Sequence, residues 1–108
     1  MSKGFVSTES KGFHMIFSNG LVASVQWGYG NYCDNRHNSN VFYNSNTYNA
    51  NVSSETAEVA VWKANEWLNA NDFVPEECRG DCDTVVGYMT PEQVVDFLYN
   101  VKNYNGKE

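Results

Sequence analysis

The sequence predicts an α+β domain, an antiparallel sheet of short strands and hairpins packed by one C-terminal helix. Three observations carry this. Two runs with period-2 alternation flank Asn19-Gly20, a strong short-range hairpin signal. A later run, Thr84 to Met89 (TVVGYM), reads as a further short strand. Beyond it Val94, Phe97, Leu98 and Val101 recur at i, i+3, i+4 and i+7, the stripe of one buried helical face. The 108 residues suffice for a single domain, 1–108, with one modest core.

Residues 1–11 are polar and weakly patterned, a loose lead-in in which Phe5-Val6 is a candidate for pairing at a sheet edge. The hairpin follows. Phe13, Met15 and Phe17 alternate with His14, Ile16 and Ser18, and Leu21, Ala23, Val25 and Trp27 alternate with Val22, Ser24 and Gln26. A two-residue Asn-Gly loop would set Met15 opposite Ser24 and Phe13 opposite Gln26, mixing polar with apolar partners. A three-residue loop, Ser18-Asn19-Gly20, pairs Phe17 with Leu21, Met15 with Ala23 and Phe13 with Val25 instead. A slip of one residue would lose that match. The favoured hairpin is therefore bulged, with Gly20 taking the positive φ.

The alternation stops at Gly28-Tyr29-Gly30-Asn31-Tyr32, where two glycines permit a sharp turn or a close backbone approach. Trp27, Tyr29, Asn31 and Tyr32, with Arg36 just behind, form a candidate binding corner, because aromatics and Arg are enriched among contact hot spots. The plainer reading is that Trp27 and Tyr32 are core and rim residues of a small sheet.

Residues 34–54 are rich in Asn and Ser and read as a long surface loop, with one short strand at Val41-Tyr43. Long loops in small domains often carry partner contacts. Residues 55–70 are ambiguous. Ala57, Ala60, Val61, Ala64, Trp67 and Leu68 fit a helical stripe, whereas Ala57, Val59 and Val61 alternate as a strand that turns at 63–65 into a second strand at 66–68. Residues 69–83 form a polar, acidic loop. Thr90-Pro91-Glu92-Gln93 then supplies an N-cap, a Pro at the first helical position and a capping-box Gln, which starts a helix running from Pro91 to about Asn103.

Composition limits the function classes. Hydrophobic content of 42% with 15% aromatics is that of a globular chain. Formal charge is −6 and the pI about 4.7, with seven Lys and Arg scattered along the chain, which argues against nucleic acid as a partner. No apolar run approaches the roughly 20 residues of a membrane span. The first residues lack the apolar core of a signal peptide, so the expectation is a cytosolic protein without a membrane partner.

Three cysteines do not close a purely disulfide-linked scaffold. Cys33 and His37, with Cys78 and Cys82, offer two ligand pairs of matching spacing, and three thiolates with one imidazole would suit tetrahedral zinc. Three unrelated thiols is the simpler account, and the expectation is no cofactor, with zinc as the alternative. Catalysis has thin support. Cys33 lies near Arg36 and His37 in sequence, but nothing supplies an oxyanion hole or a third member, so no catalytic residue is assigned.

Gly12-Phe13-His14-Met15 with Asn19-Gly20, then Val25-Gln26-Trp27-Gly28, Gly30-Asn31-Tyr32-Cys33 and Asn35-Arg36, resembles a family of small uncharacterised proteins of tailed bacteriophages. The likeness continues through Ala57-Glu58-Val59-Ala60-Val61-Trp62, Trp67, Val86-Gly87-Tyr88 and Thr90-Pro91-Glu92-Gln93-Val94. It departs from that pattern at 38–51 and in the cysteine-bearing acidic loop. The resemblance implies that 57–62 is a strand and that Trp67 follows a hairpin turn. It also implies an accessory phage protein at work in the host bacterial cytoplasm.

The expected function is thus non-enzymatic binding and inhibition of a bacterial host or defence protein. The alternative is capture of a small nucleotide-type ligand, its base stacked on Trp27 or Tyr29 and a phosphate on Arg36. Assembly of several copies as a homo-oligomer could build such a pocket.

Overall fold

In the computed structural model of the protein, residues 3–8, 11–37, 53–82 and 84–105 are described. The hairpin is bulged, in the expected register. Strands β2 (Gly12–Ile16) and β3 (Leu21–Gln26) pair Phe13 with Val25 and Met15 with Ala23. Phe17 N–H donates to the Leu21 carbonyl and Gly20 N–H to that of Phe17, with Gly20 at φ +89°. Gly12 is required for a different reason, because a Cβ there would strike the Val25 carbonyl across the pair. Within the expected lead-in, β1 (Gly4–Ser7) pairs antiparallel with β2, setting Phe5 opposite Met15 and Val6 opposite His14.

The ambiguous segment is β. Strand β4 (Ala57–Lys63) lies beside β3 in antiparallel register, Ala23 opposite Val61 and Val25 opposite Val59. It turns through Ala64, at φ +55°, into the two-residue β5 (Glu66–Trp67). The helical stripe loses because burying both faces of β4 requires residues of both parities, and Val59, Ala60 and Val61 are all buried. Strand β6 (Val86–Met89) pairs with the other end of β4, so β5 and β6 flank the same strand beyond the β1-β2-β3-β4 order. The expected short strand at Val41-Tyr43 lies outside the described residues.

Helix α1 (Pro91–Lys102) begins as its sequence dictates. The Thr90 side chain accepts from Gln93 N–H, while the Gln93 side chain accepts from Thr90 N–H. Its Phe97 and Val101 enter the core with Val94 and Leu98 beside them, against Leu21, Ala23 and Val25 of β3 and Val59 and Val61 of β4. Two single-turn 3₁₀ helices, Ala70–Asp72 and Glu76–Cys78, carry the chain from β5 to β6. Ala70, Phe73 and Val74 close the core there. No described helix is long and apolar enough to cross a membrane.

The opposite sheet face has its own aromatic cover. Ile16, Val22, Ser24 and Ala60 are buried on it. The Trp62 ring meets His14 edge-to-face at 4.9 Å and lies tilted against Trp67 at 5.0 Å.

Candidate functional site

The candidate residues fall at the Gln26 end of β3, where the chain leaves the sheet. Asn31 and Glu58 shape the turn. The Asn31 side-chain oxygen accepts from Gly28 N–H, and its amide donates to Glu58 Oε1 at 3.1 Å. Glu58 Oε2 accepts from Tyr32 N–H. Asn35, buried, donates to the carbonyls of Trp27 and Ser53, both at 2.8 Å. Gly30, at φ +87°, donates to the Arg36 carbonyl, and Asp34 and Thr56 bond one another. A loop tied at so many points presents its outer side chains in one geometry, which lowers the ordering cost of any contact they make.

Among those outer side chains Tyr32 and Arg36 form a pair. Tyr32 is 42% exposed, and the Arg36 guanidinium lies 4.0 Å from its ring centre while donating to the Gly30 carbonyl. Tyr32 also docks on β6. Its carbonyl accepts from Tyr88 N–H at 2.8 Å, and a Cβ at Gly87 would strike Tyr32 itself. Tyr88 beside it is 52% exposed and holds φ +56°, a conformation disfavoured for a bulky residue.

The other expected binding residues divide. Asn31 serves as an internal bracket. Tyr29 is half-buried. Trp27 packs edge-on against Phe13 and lines an apolar cleft of about 470 Å³ between the sheet and α1. Val25, Met89, Val94 and Leu98 share that lining, with polar additions from Ser54, Glu55 and Thr56. Its described lining includes no Lys or Arg, and Arg36 is not part of it.

The four candidate metal ligands are not gathered. Among the described residues no group of three or more His, Cys, Asp and Glu side chains could hold a metal ion. Cys33 is 1% exposed and its thiol donates to the Gly28 carbonyl, so it serves the turn internally. His37 is exposed. Cys78 and Cys82 border a separate cleft near Tyr88. Burial, then the charges of Glu77 and Asp96, push the Cys78 thiol up from its ordinary value and keep it protonated.

Tyr88 and Glu58 are the residues that sequence reasoning missed. A faint signal existed for Tyr88, since a glycine inside a strand pattern marks a close backbone approach, and Gly87 is where Tyr32 docks. Glu58 gave none beyond its place on the polar side of a strand.

No protein-family model matches the chain, and comparisons with curated proteins and with solved structures return no significant match.

Proposed function

We propose that this protein acts by binding another protein through the Tyr32–Arg36–Tyr88 corner, without chemistry of its own. In the phage setting that the sequence resemblance implies, the partner is a bacterial host or defence protein that binding disables. The observation that supports this reading is the exposed Tyr32 ring carrying Arg36 at 4.0 Å on a loop fixed by hydrogen bonds. Tyr and Arg dominate binding hot spots, and a pre-set geometry is what makes such a pair effective.

Capture of a nucleotide is less well supported: of the two stacking residues it could use, Tyr29 is half-buried and Trp27 packs against Phe13. Trp27 lines the apolar cleft, which has no described cationic side chain, while Arg36 is engaged with Tyr32 and the Gly30 carbonyl.

Native mass spectrometry of the chain isolated from its bacterial host tests the choice. The expected result is the 12.2 kDa chain in a complex with the mass of a second protein. A chain carrying only a nucleotide mass, or the mass of one zinc ion, would overturn the reading.

A further inference from the structure

A second cleft, of about 370 Å³, opens directly beside the corner. One wall is Tyr32 and Tyr88, and the other is the acidic loop with Cys78, Asp81 and Cys82. Both walls are held in place. Tyr32 sits on the bare backbone of Gly87, and its carbonyl oxygen would lie 2.8 Å from any Cβ added there. On the other side the Asn71 side chain donates to the carbonyls of Gly80 and Cys82 and accepts from Gly80 N–H, all within 3.2 Å.

Tyr88 stands with Tyr32 in the wall of the cleft. Its positive φ costs energy, yet the ring is half exposed and returns little by burial.

The occupant follows from charge. Asp81 is the only charged side chain among the described lining residues, in a chain of formal charge −6. The segment 76–82 carries Glu76, Glu77 and Asp81 against a single Arg79, which is not among the described lining residues. Glu77 and Asp96 also act on Cys78, so the field at that wall is negative. The Arg36 guanidinium is engaged with the Tyr32 ring at 4.0 Å.

We infer that this cleft receives a lysine or arginine side chain of the protein partner, its stem along the tyrosine rings and its charged end at Asp81. The inference rests on the protein-binding reading and adds the chemistry of what is bound.

The test uses the full ¹⁵N-labelled chain titrated with acetyl-Gly-Lys-Gly-amide and with the same peptide carrying uncharged norleucine. The lysine peptide should shift the amides of Gly80, Asp81, Gly87 and Tyr88, with an apparent affinity about tenfold above that of the norleucine peptide, the combined effect of one cation–π contact and one exposed ion pair. Asp81→Asn should remove most of that margin and leave the remaining spectrum in place. Tyr88→Asn, whose new residue adopts positive φ readily, should keep the fold and weaken the lysine peptide severalfold. Equal affinity for the two peptides, or shifts scattered over the acidic surface, would overturn the assignment. The peptides contain no natural partner, so their failure removes the cationic occupant alone. The wider reading falls only if partner capture ignores Tyr32 and Arg36.

Discussion

His14 sits on the sheet face away from the helix, its imidazole edge-on to Trp62. Burial holds its pKa below the ordinary 6.5, so the folded protein prefers the neutral ring. The unfolded chain then binds more protons as the pH falls through 6.5, and the fold loses stability in that direction. Urea midpoints measured from pH 7 down to pH 5.5 should decline for the wild type and decline less for His14→Gln. Parallel slopes would show that this imidazole is not under strain in the fold. At this scale the sequence is a partial guide. It marked Tyr32 and Arg36 by residue type, and the structure stacks them. It could not tell that Asn31 would have both ends of its amide bonded internally, or that the Cys33 thiol would be shut in by the Gly28 carbonyl. Such partners lie across turns whose path no periodicity encodes.

Between elements, the hairpin loop and the helix are joined by one side chain. Asn19 Nδ2 lies 2.8 Å from the carbonyl of Val101 and 2.9 Å from that of Tyr104, while Oδ1 accepts from Leu21 N–H. The last turn of a helix leaves carbonyls without intrahelical donors; here the Val101 carbonyl takes Tyr104 N–H and the amide of Asn19, from a turn 82 residues earlier, and that amide also reaches the Tyr104 carbonyl just past the helix. Asn19→Ala should destabilise the fold by about 1–3 kcal/mol in urea unfolding, the cost of losing the Asn19 bonds to part-buried carbonyls and to Leu21 N–H. Asn19→Asp should be no milder. It keeps an acceptor for Leu21 N–H but turns a negative charge toward the negative end of the helix. An aspartate variant as stable as the wild type would contradict the bridge. The turn, its bulge and the helix start were legible in local pattern, since each depends on residues within a few positions. The bridge was not, because Asn19 already had a sufficient local explanation as a turn residue. The same limit applied at 55–70, where a stripe and an alternation coexist and only the neighbouring strands decide.

Across the whole molecule, one sheet serves two purposes. Its central strands and α1 bury the core, and its Gln26 end, with β6 alongside, carries the corner and the acidic cleft. The most direct measurement of the binding account is quantitative capture from a bacterial host extract, comparing wild type with a Tyr32→Ala, Arg36→Ala double variant. Both side chains are on the loop's outer side, so the variant should remain folded by circular dichroism. The account predicts one host protein held in near-stoichiometric amount by the wild type and lost, by tenfold or more, from the variant, as expected for two hot-spot residues worth above about 1 kcal/mol each. The same proteins captured equally by both would contradict it.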